Sequence, residues 1–148
     1  SLMSMILRAV VDRMMQKAAA AGGTPMRPAY LYLLRGMYPD GASVTELAES
    51  NDVTKQAVSQ LLNTLEEKRL VRRVSDPHDG RAKIVKLTRR GQRELSIAVN
   101  AYGEVEQEWA ELIGGQEEMQ RVREAIFAFI EKYAHWHRGD RPQNRIIW

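Results

Sequence analysis

Residues 44–95, VTELAESNDVTKQAVSQLLNTLEEKRLVRRVSDPHDGRAKIVKLTRRGQREL, decide how this 148-residue chain is read. Ser43, just ahead of the stretch, and Glu46 have the spacing of a capping box, and Val44, Leu47 and Ala48 give the short helix that follows a small buried face. Asn51-Asp52 then interrupt it, both residues that tolerate a left-handed turn. Thr54 is a good N-cap for a second helix, in which Val58, Leu61, Leu62 and Leu65 fall within one narrow arc at 100° per residue. The opposite face carries Gln56, Ser59, Gln60 and Asn63. Two strand-like runs follow, Leu70 to Val74 and Lys83 to Leu87, joined by Ser75-Asp76-Pro77-His78-Asp79-Gly80-Arg81, which is dense in turn formers. Short helix, sharp turn, helix with a polar outer face and then a basic hairpin make up the order of a winged helix-turn-helix.

Working outward, the flanks are helical by period. Toward the N-terminus, Pro28 opens a helix through Tyr30, Leu31, Leu33, Leu34 and Met37 that Pro39-Asp40-Gly41 stops. Before it, Met5 to Ala20 places Leu7, Val10, Val11, Met14, Met15 and Ala18 on one face, and Gly22-Gly23-Thr24-Pro25 ends that pattern. Beyond the hairpin, Thr88 caps a long helix with apolar positions at Leu95, Ala98, Val99, Tyr102, Val105, Trp109, Leu112 and Ile113, broken by Gly114-Gly115. A last helix, about Gln116 to His137, repeats the pattern at Met119, Val122, Ile126, Phe129, Ile130, Tyr133 and Trp136 and leaves 138–148 as a polar tail. The expected fold is mainly α with a small β-hairpin wing, in one domain over 1–148. Its lobe is 28–93, and 1–22 and 94–148 supply dimerisation helices and the tail.

Charge separates the two parts. Between Thr54 and Arg93, eleven Lys/Arg stand against four acids, whereas between Glu94 and Ala134 nine Glu stand against three basic residues. A polyanion is therefore expected to meet the middle of the chain. Reading duplex DNA needs a helix face of hydrogen-bonding side chains ringed by cations. Gln56 and Gln60 suit adenine N6/N7, Ser59 and Asn63 reach bases or phosphates, and Thr54 and Lys55 lie at a helix N-terminus that favours phosphate. An alternative from another class stays open on charge alone: a winged-helix interaction module whose basic face meets an acidic protein.

The stretch Val44 to Leu95 resembles the DNA-binding core of the MarR family of bacterial transcription regulators. The features that carry the resemblance are D-x-x-D-x-R-A at Asp76, Asp79, Arg81 and Ala82, then L-T-x-x-G at Leu87, Thr88 and Gly91. It implies a homodimer whose first and last helices interleave, acting as a ligand-responsive repressor on a pseudo-palindromic operator. The DNA-facing set is then Thr54, Lys55, Gln56, Ser59, Gln60 and Asn63, with Arg81 from the wing and Arg89 beyond it. It also implies a pocket near the second helix, where Tyr30, Tyr32, Arg35 and Tyr38 would hold a small aromatic or anionic effector. Two departures stand out: Asp52 sits where the family often has Gly, and Gly80-Arg81 where it often has two arginines. With one arginine in the wing, Arg81 is expected to order the hairpin by pairing its guanidinium with Asp76 and Asp79, the alternative being that it projects into the minor groove.

Other chemistry finds no motif. No nucleophile with a base, phosphate-cradling glycine loop or carboxylate pair suggests an enzyme. His135 and His137 point about 200° apart on a helix, unlike an i, i+4 metal pair, and His78 lies in the wing, so neither metal nor cofactor is expected. Cysteine is absent, which fits a reducing, cytoplasmic setting. No apolar run is long enough to span a bilayer, and no membrane partner is expected.

Overall fold

The computed structural model describes residues 1–133. Its elements run α1 (Leu2–Ala20), α2 (Pro28–Gly36), α3 (Val44–Ser50), α4 (Lys55–Glu67), β1 (Val71–Ser75), β2 (Lys83–Leu87), α5 (Arg89–Ile113) and α6 (Gln116–Tyr133). The mainly α architecture with a two-stranded hairpin is the expected one. The first helix begins at Leu2, ahead of the first periodic residue, and β1 is shifted by one residue to end on Ser75. Trp136, His135, His137 and the 138–148 tail lie outside the described residues.

The helix boundaries are set by local chemistry. Ser43 Oγ accepts from the Glu46 N–H (3.1 Å) while the Glu46 carboxylate accepts from the Ser43 N–H (2.7 Å), a complete capping box. Thr54 Oγ1 accepts from the Ala57 N–H (3.1 Å) and Thr88 Oγ1 from the Gly91 N–H (3.0 Å), which satisfies donors that the helix itself leaves open. At the other ends, α3 and α4 close in the same way. The Asp52 N–H donates to Glu49 O and the Val53 N–H to Ala48 O; the Arg69 N–H donates to Glu66 O and the Leu70 N–H to Leu65 O. Both are Schellman closures, with Asp52 (φ 51°) and Arg69 (φ 59°) in the left-handed position that glycine usually takes.

The core of the lobe joins Leu33, Leu34 and Met37 of α2 and its C-cap, Leu47 and Ala48 of α3, Val58, Leu62 and Leu65 of α4, and Leu70, Val71, Val85 and Leu87 of the hairpin. β1 and β2 pair antiparallel from Val71↔Leu87 to Ser75↔Lys83. Ala42 bridges Val85 through two backbone hydrogen bonds (3.0 and 2.8 Å), so the segment leading into α3 is pinned to the wing strand. Gly91 answers to packing rather than flexibility. A Cβ there would overlap the Leu70 carbonyl oxygen, so only glycine lets α5 lie against the base of the hairpin.

α1 and α5 form the second layer. Arg13 donates to both Glu108 oxygens (2.9 and 2.7 Å), and Lys17 reaches Glu104 (2.9 Å) and Glu108 (2.8 Å). Hydrogen bonds from Arg13 and Lys17 hold the Glu108 carboxyl at about 2, well below its ordinary 4.5. α5 and α6 are joined across Gly114 (φ 110°), a left-handed C-cap, and by an ion pair between Arg123 and Glu106.

Candidate nucleic-acid interface

α4 separates its faces cleanly. Val58, Leu62 and Leu65 are fully buried, while Lys55, Gln56, Gln60 and Asn63 are exposed and Ser59 is half-buried. The capped N-terminus, with Thr54 and Lys55 in the open, directs its unpaired backbone N–H groups at solvent. Among the described residues the Gln56 and Gln60 side chains hold no hydrogen bond, so each keeps a donor and an acceptor for a base edge. Asn63 differs. Its Oδ1 accepts from Arg73 Nη2 (2.9 Å), and Arg73 Nε also lies 3.5 Å from a Glu66 oxygen.

That Arg73 contact joins the wing to the helix. Through its side chain, the middle residue of β1 is tied to the last two turns of α4, at Asn63 and Glu66. Arg81 is at the hairpin tip and exposed. The carboxylates expected to hold its guanidinium are occupied otherwise. Asp76 Oδ1 accepts from the His78 N–H (2.8 Å) and Asp79 Oδ1 from the backbone N–H of Arg81 itself (3.0 Å). These are Asx turns, in which a short side chain closes on the backbone two residues on before a distant guanidinium can reach it. The expected anchoring ion pair is therefore not formed among the described residues, and the loop is ordered without it. Arg89 goes to the other end. It follows Thr88, whose hydroxyl donates to Arg69 O (2.7 Å) and Leu70 O (3.1 Å) at the base of the hairpin. A five-residue strand at about 3.3 Å per residue separates that base from the tip by roughly 15 Å.

Of the four residues expected around an effector, one is half-buried and three are exposed. Tyr30 is the half-buried one and packs against the core, whereas Tyr32, Arg35 and Tyr38 are exposed. Tyr32 approaches Tyr102 of α5, whose hydroxyl is pushed up by burial and by that neighbour. A hollow of about 230 Å³, open solvent included, lies between α1, the α1–α2 connection and α5, with Met14, Met15, Met26, Leu31 and Ile97 among its walls. Its polar corner is Glu94, 3% exposed, whose two oxygens accept from the Thr24 N–H and the Thr24 hydroxyl, both at 2.8 Å. In the sequence, Glu94 and Arg73 register only as charge. Their partners lie 70 and 10 residues away, and no local pattern marks either pair.

Residues 24–82 match the model of the MarR family. The chain is 30% identical over 105 residues to the transcriptional regulator HosA of Escherichia coli O111:H-, covering 69% of this chain and 78% of HosA. This chain belongs to the MarR family of transcriptional regulators. It is also 34% identical over 113 residues to an uncharacterized HTH-type transcriptional regulator of Bacillus subtilis, YxaD, covering 70% of this chain and 77% of that one. Among solved structures, MepR of S. aureus resembles it at 25% identity. A mutant of MepR bound to an oligodeoxyribonucleotide superposes with a TM-score of 0.59 over 88% of this chain and 94% of MepR. MepR bound to ethidium bromide gives 0.61 over 87% and 94%. The family is one of transcriptional regulators, and the match over 24–82 takes in α3, α4 and the hairpin up to Ala82. Among the described residues, no helix is long and apolar enough to cross a membrane and no group of three or more His, Asp or Glu is placed to hold a metal ion.

Proposed function

We propose that this MarR-family regulator is a ligand-responsive repressor that binds a pseudo-palindromic operator as a homodimer, with one α4 in the major groove of each half-site. The observation that carries the reading is the division of α4: an inner face wholly committed to the core and an outer face whose Gln56 and Gln60 have no partner among the described residues. Thr54 and Lys55 take phosphate at the helix N-terminus, Gln56, Ser59 and Gln60 face the bases, and Arg81 reaches the minor groove from the wing tip. Arg89, at the hairpin base, serves at most a flanking phosphate. The DNA-bound MepR structure supports the same use of this fold.

Dimerisation is supported by apolar side chains that one chain leaves in water. Leu2, Met3, Met5 and Leu7 of α1, Leu112 of α5 and Ile126, Phe129 and Tyr133 of α6 are 44 to 85% exposed. Exposed apolar area on that scale at both ends of the chain marks an interface, and a two-fold pair places the two recognition helices about 34 Å apart, one DNA turn. Effector response is supported by the Tyr32–Arg35 face of α2 beside Tyr102, which offers an aromatic surface and a cation. Tyr38 is exposed three residues beyond Arg35, and Tyr30 is half-buried.

Selection from a random duplex library, followed by titration across salt, tests the reading. Gln60→Ala should lose about 1–3 kcal/mol on the selected operator and relax preference at one position per half-site. Lys55→Ala should weaken all sequences alike and lower the salt slope by about one. Salt-sensitive binding to DNA without any selected sequence, together with tighter capture of an acidic protein, would favour the interaction module instead.

A further inference from the structure

We propose that the base of the wing is a second DNA contact, which holds the phosphate backbone of the duplex flanking the operator without reading its sequence. The inference rests on the DNA-binding reading above and extends it to charge which that reading leaves unused. Lys68, Arg69, Arg72, Lys86, Arg89 and Arg90 gather at the end of the hairpin away from Arg81. Arg72 and Lys86 stand directly opposite each other in the strand pairing. The Thr88 hydroxyl, bonded to Arg69 O (2.7 Å) and Leu70 O (3.1 Å), draws the start of α5, with Arg89 and Arg90, against the end of α4. Five of the six are exposed and Lys86 is half-buried. Among the described residues none of them holds an ion pair.

Like charges directly opposite on paired strands repel, so Arg72 beside Lys86 costs the free protein stability. Little nearby offsets it. Glu66 is engaged by Arg73, which leaves Glu67 at the end of α4 and Asp40, next to the Gly41 against which the Lys86 stem lies. An anion of closely spaced charges relieves the repulsion, and duplex DNA, with one charge per about 1.7 Å of axis, is such an anion. The chemistry of the patch favours a nucleic-acid backbone over an acidic protein. Protein interfaces are anchored by aromatic and aliphatic side chains at their centre. The large apolar side chains that the lobe exposes are Tyr32, Tyr38 and Val53, none of them on the hairpin or at its base. Because the base lies roughly 15 Å behind the tip, the flank must lean toward the protein to reach it, a deformation that the added phosphate contacts offset.

The test uses the full chain and two duplexes with the same selected operator, one ending at its edges and one continued by about 15 arbitrary base pairs on each side. At about 0.1 M salt the natural chain should gain roughly tenfold in affinity from the added length, with a steeper salt slope on the longer duplex. Arg72→Gln combined with Arg90→Gln should bind the short duplex as the natural chain does and lose most of that gain. Its slope on the long duplex should fall by about one for each contact removed. The thermal midpoint of the free double variant should equal or exceed that of the natural chain, because a repulsive cross-strand pair is gone. Equal gains from length in the two proteins overturn the proposal. So does an equal loss by the variant on both duplexes, which would put these cations inside the operator, or a lowered midpoint, which would make them supports of the hairpin. Tighter binding of polyglutamate than of the flanking duplex alone, lost in the variant, assigns the surface to an acidic protein and overturns it as well. Failure of the natural chain to select any operator overturns the underlying reading, whereas a selected operator without a variant-sensitive gain overturns this proposal alone.

Discussion

The lobe from Ser43 to Gly91 and the helical ends outside it fold by the same periodic rules but reach different degrees of completion. From Ser43 onward every helix start of the lobe carries its own side-chain cap, the ends of α3 and α4 close by Schellman pairs, and the apolar helix faces turn into the core. At the ends, Leu2, Met3, Leu112 and Phe129 are 66 to 85% exposed. A stripe of apolar residues specifies a helix in either place, but only in the lobe do the described residues supply what covers it. The lobe is closed by its own residues, and under the proposed function a second chain covers the ends.

Three substitutions probe that contrast. Gly91→Ala should have the largest effect, because a methyl group meets the Leu70 carbonyl where backbone must move to admit it. A loss of about 3 kcal/mol in denaturant unfolding is expected, with DNA binding falling as the hairpin shifts on α5. A stability equal to the natural chain would mean the lobe tolerates slack that its packing denies. Asp52→Gly works in the opposite direction and more weakly. Relief of the left-handed backbone, and removal of a negative charge at the C-terminal end of α3, should raise stability by about 0.5–1 kcal/mol in the same assay.

The smallest effect belongs to the clamp between α1 and α5. Because Glu108 titrates at about 2 in the folded chain against an ordinary 4.5, its contribution is present in full above about pH 4.5 and is lost as pH falls toward 2. Glu108→Gln should remove that part of the acid limb, leaving stability at neutral pH slightly lower and its decline between pH 4.5 and 2 shallower. An acid limb identical in both proteins would show that the clamp does not persist in solution.

What the sequence discloses follows the range of the interaction. Ser43 with Glu46, Thr54 and Thr88 cap at i to i+3, so their residue types announce the helix starts, and the left-handed demand on Asp52 is visible as a departure from glycine. Arg73 with Asn63, Thr24 with Glu94 and Arg13 with Glu108 are partners across 10, 70 and 95 residues, and only folding brings them together. Arg81 shows the converse error. Nearness in sequence to Asp76 and Asp79 suggests an ion pair, but each carboxylate closes on a backbone N–H two residues ahead, which costs less chain entropy than ordering a guanidinium. The aromatic cluster on α2 divides for a similar reason. Tyr30 shares the stripe of Leu33, Leu34 and Met37 and turns inward, while Tyr32, two residues on, cannot follow it.

If the self-contained lobe reads DNA in pairs because the helical ends join two chains, the mass of the free and bound protein must show it. Sedimentation equilibrium at micromolar concentration, alone and with a selected operator duplex, reads that mass. The protein alone should sediment at about twice 16.9 kDa, and the complex should hold two chains on each duplex. A 16.9 kDa species with intact helicity, binding the duplex one chain at a time, would contradict the pairing.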